Sequence, residues 1–167
     1  MFDQLNTFLI KQQLNELLLR YAHAVDRRDA AALSQLWWPD GQIDFGLFKG
    51  PTAEFIELIC QENPSILTSY HSITNALFTL DGQRARGHCY VTAMSSFKDP
   101  DNGATDQLVG GRYLDRFEQR DGQWRFIEKL FVLDWTVNQP HSAIWDKGIG
   151  AAAARGVMGP TDPSYRH

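Results

Sequence analysis

Apolar residues in the first part of the chain recur at steps of three and four. Leu5, Phe8, Leu9, Leu14, Leu17, Leu18, Tyr21, Ala22 and Val25 follow this period, which predicts a long amphipathic helix over about residues 5–26. Asp29 stands just before Ala30–Ala31–Ala32–Leu33, where its carboxylate can cap a second, short helix. Trp37–Trp38–Pro39–Asp40–Gly41 reads as the turn that ends it. Residues 43–48 can form a short strand. Gly50–Pro51–Thr52 then restarts a helix through about Gln61, with Phe55, Ile56, Leu58 and Ile59 apolar.

After Asn63–Pro64 the character changes to strand. Residues 69–80 are rich in β-forming side chains and end in Asp81–Gly82, a hairpin signal. Residues 84–97 supply the partner strand, and 99–103 form a loop. Residues 108–120 and 124–137 make a second pair, joined at Asp121–Gly122. Three helices followed by long strands point to an α+β fold, with the helices packed on one face of a curved antiparallel sheet. Such a cone-shaped α+β barrel encloses a pocket.

Residues 138–167 break the pattern with Pro140, Gly148, Gly150, Gly156, Gly159, Pro160 and Pro163. They read either as a disordered tail or as a segment that packs over the pocket or a subunit interface, using Ile144, Trp145, Val157, Met158 and Tyr165. The expected division is therefore a cone domain over 1–137 and a C-terminal tail over 138–167.

Composition narrows the function classes. The chain is 43% hydrophobic and 22% charged over 167 residues, which fits one folded domain rather than a disordered chain. A net charge of -4 argues against a nucleic-acid partner, which would require a basic face. No apolar run approaches the roughly 20 residues of a membrane span. The first residues, MFDQLNTFLIKQQ, lack the pattern of a signal peptide, so the expected location is cytoplasmic. Cys60 and Cys89 lie in apolar runs and read as small buried hydrophobes. No GxGxxG, Walker, CxxC or HExxH motif occurs, and no pair of metal ligands stands at i and i+4. Neither a metal nor a cofactor is expected.

Two residues combine position and chemistry. Asp26 borders the apolar face near the end of the first helix, where a carboxylate needs a partner. His71 opens a strand in Tyr70–His71–Ser72–Ile73–Thr74–Asn75 and can take a proton near neutral pH. Taken singly, each reads first as structural: Asp26 as a helix-end acid beside Arg27–Arg28–Asp29, His71 as a backbone-bonded histidine. His23 falls on the polar side of the first helix. His88 lies mid-strand, and alternation leaves its face open. His141 and His167 lie in the tail. Asp115 and Asp134 read as surface or ion-pair carboxylates. Tyr21, Trp38, Phe45, Tyr113 and Phe131 can line a pocket, though aromatics in such positions are also ordinary core.

The assembled pattern resembles the SnoaL-like branch of the nuclear transport factor 2-like superfamily. LLLRYAHAVDRRDAAALSQLWWPDG, HSITN, GGRYLDRFEQRDGQWRFIEKLFVLDW and the late TDPSY carry the resemblance, mainly across residues 10–137. Within that branch the sequence is most similar to scytalone dehydratases, bile acid dehydratases and hexachlorocyclohexane dehydrochlorinases. The resemblance implies a pocket with an Asp ending the first helix and a His opening a later strand, matched by Asp26 and His71. It also implies a pocket Tyr five residues before the Asp, matched by Tyr21. It departs at Leu133, where the bile acid enzymes carry an Arg, and His88 is a doubtful match to the second pocket His of the scytalone enzymes.

The activity so implied is a cofactor-free lyase, with His71 as base, Asp26 orienting it and Tyr21 assisting a leaving oxygen. Trp38, Phe45, Tyr70, Asn75, His88, Tyr113 and Phe131 would hold a small hydrophobic, cyclic or aromatic substrate. The leaving group would be water, halide or a small carbon fragment such as formaldehyde. An isomerase or cyclase using the same base is an alternative. A non-catalytic binding subunit, like the small subunit of ring-hydroxylating dioxygenases, is another. The resemblance further implies a homo-oligomer, most simply a trimer.

Overall fold

A computed structural model of the chain describes residues 3–101 and 103–166. Asn102, in the expected loop, and His167 lie outside the described residues. The first helix, α1 (Gln4–Arg27), is capped by Asp3, whose carboxylate accepts from the Asn6 N–H at 2.7 Å. It buries Ile10, Leu14, Leu18, Tyr21, Ala24 and Asp26 against the sheet, while Leu5, Phe8 and Leu9 are exposed. The apolar stripe read from the sequence therefore holds for the second half of the helix and not for its start. Helix α2 (Ala30–Gln35) begins at the predicted cap, where Asp29 accepts from the Ala32 N–H at 2.9 Å.

The Trp37–Gly41 segment corrects the sequence reading. It is not a turn but part of strand β1 (Trp37–Asp44). β1 runs parallel to the last strand, with Trp37 opposite Phe126, and an irregularity before Gln42 absorbs Pro39 and Gly41. Burial of the Trp37 ring against Tyr21 and Phe126 holds the segment extended. β2 (Lys49–Pro51) pairs back on β1 and leads into α3 (Thr52–Cys60).

Four long strands follow: β3 (Ile66–Asp81), β4 (Arg84–Asp99), β5 (Gly103–Arg120) and β6 (Gln123–Pro140). The sheet order is β2-β1-β6-β5-β4-β3. Because β1 joins β6 in parallel, the sheet is mixed rather than wholly antiparallel. Bulges between Thr74 and Leu77, Gly110 and Gly111, and Arg116 and Phe117 bend the long strands toward the helices. The result is the expected α+β cone, with α1 closing the concave face.

Register converts the concave face into rows of paired residues. Starting from the end that holds His71, the rows are His71–Ala93–Val109–Thr136, then Ile73–Val91–Gly111–Leu133. Next come Cys89–Tyr113–Phe131, Phe78–Gly87–Asp115–Lys129 and Leu80–Ala85–Phe117–Phe126. The last row is fully packed, with Phe117 and Phe126 inaccessible. The first two rows carry small or short side chains, and Leu133 is 53% exposed. Large residues thus fill one end of the cone, and the rows nearest His71 carry the smaller side chains.

The segment after β6 is described through residue 166; it touches the domain at His141 and over residues 157–165, while residues 142–149 and 151–155 are exposed. It contains α4 (Gly148–Ala152) and a 3-10 turn at Pro163–Tyr165. His141, at its start, contacts Asp106 at 2.7 Å, and Asp106 also accepts from Ser96 at 2.6 Å. Cys60 and Cys89 are both free. Among the described residues, no helix is long and apolar enough to cross a membrane.

Candidate functional site

Asp26 lies at the last turn of α1, where the helix closes with Arg28 in the left-handed conformation (φ 53). The Arg28 N–H bonds to the Val25 carbonyl and the Asp29 N–H to that of Ala24, the paired closure of a Schellman cap. This ending aims Asp26 at the first residues of β3. Its carboxylate accepts from Ser69 Oγ at 2.9 Å and from the His71 backbone N–H at 2.8 Å, and it meets His71 Nδ1 at 2.6 Å. Burial alone would raise the Asp26 pKa. The bonds from His71 and Ser69 outweigh that and hold the carboxyl below its usual range. The His71 side chain is 16% exposed, and its Nε2 has no partner among the described residues.

Tyr21, one and a half turns earlier on α1, stands against Tyr113 with ring centroids 5.8 Å apart. Phe131 lies 5.8 Å beyond Tyr113. Neither tyrosine hydroxyl has a hydrogen-bond partner among the described residues. Burial pushes both phenols well above their usual pKa, so both stay protonated donors. The nearby Asp115 carboxylate adds to this rise at both rings.

Beneath the tyrosines Asp115, one of the two carboxylates read as surface or ion-pair residues, forms an ion pair with Lys129, which the sequence did not single out. Lys129 Nζ meets Asp115 at 2.7 Å, with side chains 1% and 0% exposed. The ammonium also sits 4.4, 4.2 and 4.5 Å from the ring centroids of Tyr21, Tyr113 and Phe126. Asp115 Oδ2 is buried without a partner, and burial pushes this carboxyl up against the pull of Lys129. Asp115 shares parity with Tyr113 and Phe117, and that alternation was the available signal. Lys129 was hidden because the bulge between Arg116 and Phe117 flips its face relative to Trp124 and Phe126.

Other residues proposed from the sequence lie elsewhere. His88 pairs with Leu77 and Leu114 on the convex face, the opposite side of the sheet from His71. Tyr70 is also on that face, opposite Met94, and is 60% exposed. Asn75 is exposed within the β3 bulge (φ 53), which turns it from the row of His71. The Trp38 indole N–H donates to the Glu118 carbonyl at 2.9 Å, and Arg120 and Arg125 cover the ring. Phe45 packs with Phe48 and Phe55 beside α3. For His88, Tyr70 and Asn75 strand alternation or a bulge assigns the face, and neither is visible in residue type alone. Asp134 forms an exposed two-bond pair with Arg112. Among the described residues, no three His, Cys, Asp or Glu side chains gather into a metal site.

Comparison with known proteins identifies a family and a shared fold. The family described as SnoaL-like domain matches residues 7–129. No curated protein matches the chain. Hexachlorocyclohexane dehydrochlorinase LinA-type3 from Novosphingobium barchaimii LL02 superposes with a TM-score of 0.72 at 19% identity, over 85% of this chain and 98% of that one. The Type2 form of that enzyme gives 0.73 at 18% identity, over 85% and 95%. An NTF2-like superfamily protein from Salmonella enterica serovar Typhimurium gives 0.66 at 16% identity, over 76% and 92%. At these identities the likeness is one of fold.

Proposed function

The chain belongs to the SnoaL-like domain family, and on that premise we propose that it is a cofactor-independent lyase with His71 as its base and Asp26 as the base's partner. The observation that carries this reading is the 2.6 Å contact between His71 Nδ1 and Asp26 on the concave side of the sheet. With Nδ1 donating to the carboxylate, Nε2 holds the free lone pair. In the reaction, Nε2 takes a proton from carbon. The C–H electron pair becomes the new double bond, and the leaving group departs with the electrons of its own bond. The imidazolium so formed faces the Asp26 carboxylate, which stabilises it.

The walls favour a hydrophobic, cyclic or aromatic small molecule. Ile73, Val91 and Val109 stand in the two concave rows nearest His71, and Tyr113 and Phe131 follow in the next. Tyr21, held protonated by burial, is the donor for a leaving oxygen. The leaving group is water or halide; where a small carbon fragment such as formaldehyde is lost as well, Nε2 takes the fragment's hydroxyl proton instead, the O–H pair becomes the aldehyde C=O, and the C–C pair forms the new double bond as water or halide departs. Elimination of halide gains support from the shared fold with a dehydrochlorinase.

The convex face supports a second proposal, that the chain works as a homo-oligomer. Tyr70, Met94, Leu108 and Val137 form one exposed apolar row across β3, β4, β5 and β6. A row of this kind on a soluble domain marks an interface.

The test is to incubate the protein with halogenated cyclohexanes and cyclic β-hydroxy carbonyl compounds and to weigh the products. A product lighter by HX or water is expected. A rearranged product of unchanged mass assigns the same base to an isomerase instead. His71→Ala and Asp26→Ala should each lower turnover by about a hundredfold or more with circular dichroism unchanged. Full turnover in a folded His71→Ala protein refutes the base.

A further inference from the structure

The C-terminal segment ends on the same turn of α1 that presents Asp26. Asp162 is the centre of this contact. Its carboxylate pairs with Arg27 at 2.9 Å and accepts from the Val157 N–H at 2.8 Å. It also accepts from the Ser164 N–H at 3.0 Å and the Ser164 hydroxyl at 2.6 Å. Arg27 donates as well to the Val157 carbonyl at 2.8 Å. The Arg27 carbonyl, which the end of α1 leaves without a helical partner, accepts from the Gly159 N–H at 2.7 Å. Two outer contacts flank this core. Tyr165 donates to Asp29 at 2.8 Å, and His23 meets Ser164 at 3.1 Å.

These contacts join three things: the last turn of α1, the cap of α2 and the segment over residues 157–165. The Arg27–Asp162 pair is mostly buried, with side chains 17% and 7% exposed. Arg27 directly follows Asp26, so one peptide unit separates the clasped residue from the carboxylate that holds His71. The left-handed Arg28 lies one residue further and is disfavoured for a side chain with a Cβ. A helix end closed on such a residue gains from an external hold, because fraying there would withdraw Asp26 from Ser69 and His71.

We propose that residues 157–165 form a clasp in which Asp162, through Arg27, is a positioning residue for the Asp26–His71 pair. The inference rests on the lyase reading for its consequence in turnover but not for its structural test. The segment acts on the back of the helix rather than on the substrate. Its contribution is to fix where the carboxylate stands.

The test is nuclear magnetic resonance on the full chain with labelled histidine. The His71 Nδ1–H bonded to Asp26 should give a downfield proton that exchanges slowly with water. Two variants probe the clasp. Asp162→Asn offers one acceptor oxygen where four donors converge. Arg27→Met removes only the guanidinium bonds to Asp162 and to the Val157 carbonyl and leaves the Val157 N–H and Ser164 bonds of Asp162 intact, so it serves if Asp162→Asn does not fold. In either folded variant, that proton should exchange at least about tenfold faster, and any turnover should fall about 10–100-fold in kcat with KM little changed. An exchange rate in folded Arg27→Met within twofold of wild type overturns the clasp and leaves the dyad standing. Absence of the downfield proton in the wild-type protein overturns the dyad itself.

Discussion

Replacing Lys129 by Met takes an ammonium out of a site where its only carboxylate partner is fully buried. Asp115 would then face Tyr21, Tyr113 and Cys89 with no counter-charge, and one of its oxygens already lacks a donor. Breaking a buried pair from one side costs about 3–5 kcal/mol. For a domain of this size that lowers the melting temperature by about 6–20 °C. Asp115→Leu alone strands the ammonium against three rings and falls in the same range. The double variant, Asp115→Leu with Lys129→Met, removes both charges and leaves apolar groups of similar volume. It should melt near the wild type or above it, since such exchanges are neutral or stabilising by about 1–4 kcal/mol. The assay is thermal or urea unfolding of all four proteins at pH 7, read as a double-mutant cycle. Two single variants as stable as the wild type would refute the reasoning, because the pair would then have access to water. If the double variant is stable but catalytically weaker, the pair serves the tyrosines above it rather than the fold.

Two further outcomes follow from the same structure. Asp26 has a folded pKa below its unfolded one, so its contribution to stability is complete above the unfolded value and is lost as pH falls through the folded value. Urea unfolding from pH 6 to pH 2 should therefore show the gap between wild type and Asp26→Ala closing only on the acid side; a gap independent of pH contradicts the assignment. Sedimentation at micromolar concentration should show more than one chain per particle, and Met94→Glu, in the centre of the convex apolar row, should release monomers; a monomeric wild type removes the oligomer proposal.

The elements that carry strong periodicity were legible before any coordinates. The second half of α1, the Asp29 cap and the two hairpins closing at Gly82 and Gly122 follow from spacing and turn chemistry alone. The Trp37–Gly41 segment was misread because Pro, Asp and Gly signal a bulge as readily as a turn. Only the distant partner Phe126 decides between them. The site shows the same division. Asp26 and His71 were named from position and resemblance, and the structure brings their side chains into contact. His88 and Tyr70 were placed with them by residue type, but alternation turns both outward. Asp115 was legible as an ion-pair carboxylate but not as a buried one, and Lys129 escaped, because a charged residue in a strand reads as solvated until register shows which face it occupies. A single extra residue in β6 reverses that face.

The parallel contact between β1 and β6 also bears on synthesis. β3 to β6 are joined to their neighbours by short connections and can pair as they emerge from the ribosome. β1 is made early, yet its partner residues lie near Phe126, so it waits through most of translation with Trp37 unpaired. Leu14 and Leu18 of α1 wait with it, because the surface that buries them is the concave face of strands not yet made. The segment that holds Asp26 is thus synthesised first yet docks only once β3 and the strands after it exist, and a ribosome stalled before β3 displays an apolar helix with no sheet to dock on.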